Sequence, residues 1–272
     1  GFVANIALGL ALPVLLQPGP ETTVWTIVLT TLALRLAILL GLCRAAWRRI
    51  DRSALRALPP VTLGSGRDQR RIGLAAGAGI AIESSAFAAL SVFAGWLGPE
   101  ALAAYTMLVS LVSVIFSLAL AVAVLTAARI ASNRTYARSR FCEGLVVAIA
   151  LMSVLGVVAY LLRAPLISLT VSDPIAAAIA SPLVGLVAFL MLGDGGQAVA
   201  QNALRAIGDA WPATLIHLSG YLCLMVFGGW LLALPMDRGL RGLLEATAVA
   251  SFAVLTMLTW RFWRLTKPKE SL

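Results

Sequence analysis

Two carboxylates sit inside otherwise uncharged apolar stretches. Glu83 lies in AGIAIESSAFAAL (78–90), and no other charge occurs between Gly73 and Leu97. Asp194 opens a second pattern in LGDGGQAVAQNALR, where Gln197, Gln201 and Arg205 follow at i+3, i+7 and i+11. That spacing puts the four residues on one helix face. A charge at the centre of a bilayer costs about 2.5–3.5 kcal/mol on insertion scales, so acids at that depth face a bundle interior and mark ion or substrate pathways. The chemistry they suit is reversible neutralisation. A carboxylate that binds H⁺ or Na⁺ loses its charge, and one that releases it attracts an organic cation. Competition at one site then couples the two, which is the logic of an antiporter. The depths agree. Glu83 is about the eleventh residue of its span, and Asp194 precedes Arg205 by eleven residues, or roughly 16 Å at 1.5 Å per residue.

Other polar residues are weaker candidates. Thr106, Ser110, Ser113 and Ser117 form a stripe at helical spacing. Ser110 and Ser113 are expected to line a substrate cavity beside Glu83, with Gln197, Gln201 and Tyr221. His217, the single histidine, is expected to bond a neighbouring helix rather than relay protons. Arg35 either snorkels to the interface or pairs inside the bundle, and Glu245 is interfacial. GLAAG (73–77) has the GxxxG spacing of a helix-packing face. Cys43, Cys142 and Cys223 have no CxxC or Cys/His spacing and are expected to be buried small residues. No HExxH and no clustered aspartates occur, so neither a metalloprotease nor a Mg²⁺-diphosphate transferase is supported. No catalytic residue, no cofactor and no metal beyond Na⁺ at Glu83 and Asp194 is expected.

The elements that position these residues are membrane helices. Of the 272 residues 60% are hydrophobic and 12% are charged, about half the charged share of a soluble domain. Apolar runs suited to spanning cover roughly 2–17, 22–46, 73–97, 101–128, 144–162, 175–204, 211–234 and 240–260, which predicts an all-α integral membrane protein of about eight transmembrane helices. Strand-period alternation is absent. The net charge of +9 does not imply nucleic acid, because the basic residues fall between the apolar runs. Eight arginines lie in 44–71 and four in 129–140; Arg205, Arg261, Arg264, Lys267 and Lys269 fall on the same side. Arg163, Arg238 and Arg241 fall on the other. The positive-inside rule makes the first set cytoplasmic. Trp47, Trp96, Trp211, Trp230, Trp260 and Trp263 mark span ends, as aromatic belts do. The opening GFVANIALGL is apolar without a basic leader, which suggests a fragment whose upstream part is missing.

From about Arg71 to Arg264 the chain resembles the C-terminal half of the multidrug and toxic compound extrusion (MATE) family. IGLAAGAGIAIESSAFAAL resembles the start of that family's seventh helix, LGPEALAAYTM the following turn and eighth helix, and the stretch from SDPIAAAIA to LRAIGDAWPA the tenth helix and its exit. LRAIGD is close to the family's LRGxGD. The resemblance implies two six-helix lobes around a V-shaped cavity. Residues 1–46 are then the last two helices of an incomplete N-lobe, 47–72 a basic cytoplasmic linker, 73–264 the six-helix C-lobe and 265–272 a tail. It implies export of organic cations or drugs in exchange for H⁺ or Na⁺, with Glu83 and Asp194 holding the coupling cation. It also implies a bacterial inner-membrane, multi-pass protein that works as a monomer of the complete chain and has the lipid bilayer, not nucleic acid, as its surroundings. Departures thin the polar ligands: Tyr105 stands where histidine is common, Ser110 where asparagine is common, and Leu190 where tyrosine is common. That thinning tilts the expectation toward H⁺. The alternatives are a lipid-linked sugar flippase of the same superfamily, which needs a cationic cavity, and a non-transporting membrane scaffold.

Overall fold

A computed structural model describes residues 20–49, 66–171 and 173–267. The first expected span and most of the linker lie outside them. The chain divides into two compact units, Gly1–Ser65 and Gly66–Leu272. The first contributes α1 (Pro20–Arg49), a 30-residue helix over the second expected span. Arg35 is exposed on it.

The second unit is built from long apolar helices, in the order α2 (Arg67–Trp96), α3 (Pro99–Ser132), a 3₁₀ turn, α4 (Ala137–Leu161), α5 (Arg163–Thr170), α6 (Pro174–Ala180), α7 (Val184–Ala206), α8 (Ala210–Ser219), a π-helical stretch (Gly220–Phe227), α9 (Gly228–Ala233) and α10 (Gly239–Leu265). Six segments among the described residues are long and apolar enough to cross a membrane: Gln69–Trp96, Pro99–Ser132, Arg134–Leu161, Pro174–Ala206, Ala210–Ala233 and Gly239–Leu265. They coincide with the last six expected spans. The described residues contain no strand.

Local sequence sets the boundaries. Gly98 takes φ 116° and Pro99 opens α3 with Glu100 in its first turn; the proline supplies a preset φ and lacks an N–H that would be orphaned there. The Asp173 carboxylate accepts from the Ile175 N–H at 2.9 Å and caps α6. Gly208 (φ 94°) ends α7. Its N–H donates to the Arg205 carbonyl, and the next N–H, of Asp209, donates to the Leu204 carbonyl, the paired bonds of a Schellman motif. α5, the short helix after Arg163, is not evident in the hydropathy, because eight residues cannot span.

α7 is the central helix. It packs against α3, α4 and α10, and Val187, Leu190, Met191, Val199 and Leu204 are buried along it. Leu108, Val112 and Ala119 of α3, Met152 of α4, and Val254 and Leu258 of α10 complete the core. The exterior is apolar too: Val124, Leu125, Val146, Val154, Leu222 and Phe227 are all exposed. In water such a surface would drive association, whereas in lipid it is the expected lateral face.

Two local expectations are corrected. Cys43, Cys142 and Cys223 are exposed, not buried, because a small apolar residue gains nothing from the interior when the surroundings are also apolar. The GLAAG face is not a packing face within this unit. Gly73 and Gly77 are exposed, and a Cβ on either would meet nothing within 4 Å. The packed side of α2 carries Ala75, Gly79, Ala86 and Leu90 instead.

Candidate functional site

Asp194 lies midway along α7 and is 3% exposed. α7 runs unbroken from Val184 to Ala206, so the i, i+3, i+7, i+11 stripe stays on one face. Gly193, Gly195 and Gly196 bring other helices close to it. A Cβ at Gly193 would stand 3.0 Å from the Ser251 Cβ, one at Gly195 2.6 Å from Met152 Cγ, and one at Gly196 2.8 Å from Leu255 Cδ2. Small residues let backbones approach in this way.

The approach of α10 delivers Ser251. Its hydroxyl lies 2.5 Å from Asp194 Oδ1 and 3.0 Å from the Thr247 carbonyl. A hydroxyl has one hydrogen and can also accept. With Asp194 ionised, Ser251 donates to the carboxylate. With Asp194 protonated, Ser251 accepts from it and donates to Thr247. The same geometry therefore serves both states of the acid.

Gln197 continues the network. Its Nε2 donates to Asp194 Oδ1 at 3.2 Å and to the Tyr221 hydroxyl at 2.6 Å. Tyr221 comes from the π-helical stretch and is fully buried. Its ring lies against His217, with centroids 4.1 Å apart. Gln201 Nε2 is 2.9 Å from His217 Nδ1; with the amide donating, Nδ1 accepts and Nε2 carries the hydrogen. His217 thus bonds a neighbouring helix, as expected. A continuous polar seam runs from Ser251 through Asp194, Gln197, Tyr221 and His217 to Gln201. Three buried atoms along it have no hydrogen-bond partner among the described residues: Gln197 Oε1, His217 Nε2 and Arg205 Nε.

Glu83 faces this seam from α2. It is half-buried and stands within electrostatic range of Asp194, Tyr221 and Arg205. Gly79, one turn earlier, makes room for the end of the stripe: a Cβ there would lie 2.8 Å from Arg205 Nη2 and 3.5 Å from Gln201 Nε2. Thr214, on α8, ties that helix to α2: its hydroxyl donates to the Ala75 carbonyl at 2.9 Å and also lies 3.1 Å from the Ala210 carbonyl of its own helix. Replacing Thr214 by valine removes this hydroxyl and its bond to α2, at a cost of about 1 kcal/mol. A thermal melt of the purified protein should show the loss, and an unchanged melting temperature would deny the bond its role.

The structure thus brings Glu83, Asp194, Gln197, Gln201 and Tyr221 together and leaves Ser110 and Ser113 apart. Both serines are exposed on α3. Their hydroxyls donate to the Thr106 and Val109 carbonyls, each at 2.8 Å. Ser110 lines a separate cavity of about 590 Å³ with Thr106, Met107, Leu166 and Thr170. Ser251 is not among the expected site residues, although Thr247 and Ser251 stand at i, i+4 in ATAVASFAVL, a polar pair on one helix face. Glu245 is held by Arg238 and Arg241, both at 2.9 Å. Among the described residues no three His, Cys, Asp or Glu side chains converge on a metal position.

Comparison with known proteins gives consistent matches. The MatE family model matches residues 75–230. The probable multidrug resistance protein NorM of Caulobacter vibrioides is 37% identical over 209 residues, covering 72% of this chain and 44% of that protein. The multidrug resistance protein NorM of Burkholderia vietnamiensis is 31% identical over 191 residues, covering 66% of this chain and 41% of that protein. The crystal structure of the eukaryotic MATE transporter AtDTX14 superposes with a TM-score of 0.74 at 17% identity, over 94% of this chain and 58% of that one. The Vibrio cholerae MATE transporter VcmN superposes with a TM-score of 0.63 at 20% identity, over 75% of this chain and 48% of that one. The two superpositions concern the fold. The chain spans about half the length of the curated relatives it matches.

Proposed function

Because the chain belongs to the MatE family, we propose that it forms the C-lobe and the last two N-lobe helices of an antiporter that exports organic cations or drug-like molecules in exchange for H⁺ or Na⁺. In this reading 1–46 belong to the N-lobe, 47–72 are the cytoplasmic linker, 73–264 the C-lobe and 265–272 the tail. The protein sits in a bacterial inner membrane and acts as a monomer of the complete chain. The observation that carries the proposal is Asp194, buried where one hydroxyl can serve both its ionised and its protonated state, with Glu83 facing it from another helix.

The exchange follows from charge. Two acids in one low-dielectric seam repel each other when both are ionised, and a bound cation relieves that repulsion. H⁺ needs only a carboxylate oxygen. Na⁺ would draw on oxygens of Glu83, Asp194, Ser251, Tyr221 and Gln197. Either ion lowers the negative charge that holds a cationic cargo, so ion entry promotes cargo release, and the reverse step reloads the site. The seam residues tune this exchange, and Ser110 and Ser113 are proposed to line the cargo's route on α3. No cofactor and no catalytic residue enters the scheme.

The test is export of a fluorescent organic cation from proteoliposomes holding the complete gene product, under an imposed H⁺ or Na⁺ gradient. Glu83→Gln, at equal expression, should reduce gradient-driven export at least tenfold, and the gradient that drives the wild type identifies the ion. Wild-type protein that exports nothing would overturn the exporter reading in favour of the flippase or the scaffold, and a variant that exports normally would remove Glu83 from the mechanism. The flippase reading fits less well, because the charges within the seam are acidic on two of its helices and Arg205, at its end, lies within electrostatic range of Glu83.

A further inference from the structure

At the end of the second unit where α3 meets α4, α7 meets α8 and α10 stops, a cleft of about 700 Å³ opens. The positive-inside count places this end in the cytoplasm. Three cations line it from separate elements: Arg134 from the 3₁₀ turn, Arg138 from α4, and Lys267 just past α10. Lys267 and Arg134 are exposed, and no described carboxylate pairs with either. The one carboxylate in the lining, Asp209, is already held by Arg261, whose Nε and Nη2 donate to its two oxygens at 2.5 and 2.9 Å. The cleft therefore presents a net positive charge that no described carboxylate balances.

Its shape is built. Arg138 is fixed by donating to Thr266 Oγ1 at 3.2 Å and to the Trp263 carbonyl at 2.8 Å, with its guanidinium 4.7 Å from the centroid of the Trp263 ring. Ala137, Ile207 and Leu265 supply apolar lining between the cations. An inorganic anion would use the charges and leave most of this volume and its apolar surface unmatched. A phosphate joined to a glycerol and acyl chains uses both, and an aromatic residue beside basic ones is the usual composition of the membrane interface. Basic pockets between membrane helices on the cytoplasmic side are suited to anionic headgroups.

We propose that this cleft is a binding site for the phosphate headgroup of an anionic phospholipid, held by Arg134, Arg138 and Lys267. It is separate from the seam around Asp194 and does not depend on what that seam transports. The lipid ties three helix junctions together at the point where α7 ends, so its binding should also raise the melting temperature.

The test uses the purified chain in zwitterionic micelles. Native mass spectrometry compares retention of phosphatidylglycerol with phosphatidylcholine, and a parallel arm adds inorganic phosphate alone at millimolar concentration. Wild type should retain phosphatidylglycerol several-fold more than phosphatidylcholine. Arg134→Gln with Lys267→Gln should lower that retention at least fivefold with an unchanged circular dichroism spectrum; Arg138 is spared because it also ties α4 to α10. Arg264→Gln removes one charge at the same end but outside the lining, half of what the double variant removes, and should stay within twofold of wild type. Equal retention of the two lipids, an undiminished double variant, or an equal loss in Arg264→Gln would overturn the site. Protection by inorganic phosphate equal to that by phosphatidylglycerol would overturn its assignment to lipid.

Discussion

Asp194→Asn should abolish gradient-driven export in the complete protein, by tenfold or more, while leaving the fold intact. Asparagine keeps the volume and can still accept from Ser251 and Gln197 through its carbonyl oxygen. It loses the ability to alternate between charged and neutral, which is the property the proposed exchange requires. Ser251→Ala is the graded companion. It removes the hydroxyl that serves both states of Asp194, and at about 1.5–3 kcal/mol for a hydrogen bond to a charged group it should weaken export without eliminating it. Export by Asp194→Asn at the wild-type rate, measured at matched protein density, would sink the role of this acid.

The second large effect concerns stability. Gly193→Val should destabilise the protein by about 2–3 kcal/mol, at the upper end of what overpacking costs. Even a single Cβ at this position would lie 3.0 Å from the Ser251 Cβ and 3.2 Å from the Phe252 backbone nitrogen. Backbone cannot yield as a side-chain tip can, so the two branches of valine must wedge α10 away from α7. A thermal melt in detergent should fall by several degrees, and Ser251 should leave hydrogen-bond distance of Asp194. Gly79→Ala is a useful contrast. Its Cβ would meet the far end of Arg205, a flexible group, and the melting temperature should hardly move. If Gly193→Val melts with the wild type, the close approach of α7 and α10 is wrong.

The sequence made the helices legible because a span must be long, apolar and self-bonded, and those demands are local. The stripe on α7 was legible for the same reason: Asp194, Gln197, Gln201 and Arg205 carry their geometry in their spacing. The partners were harder to see. Ser251 is 57 residues from Asp194 in sequence, and nothing local says that α10 meets α7 at that level. Tyr221 is among the expected cavity residues, but its bond to Gln197 spans 24 residues of sequence, and the π-helical winding of Gly220–Phe227 in which it lies leaves no mark in hydropathy. The glycines show the same limit from the other side. Gly73 and Gly77 have the spacing of a packing motif yet meet nothing within the unit, whereas Gly79 lies against Arg205 and Gln201. Spacing identifies a face, but the partner decides which face is used.

The depth of Asp194 has an electrical consequence. At about 16 Å from the end of α7 that carries Arg205, within a hydrocarbon layer about 30 Å thick, the carboxylate sits near the middle of the voltage drop. A monovalent cation reaching it from either face crosses about half of that field, worth roughly 1 kcal/mol per 100 mV. In the proposed exchange, membrane potential would therefore act on occupancy itself, several-fold per 100 mV, before any helix moves. A site at the surface would respond only to concentration, whereas the site proposed at this depth would be a voltmeter as well as an ion detector.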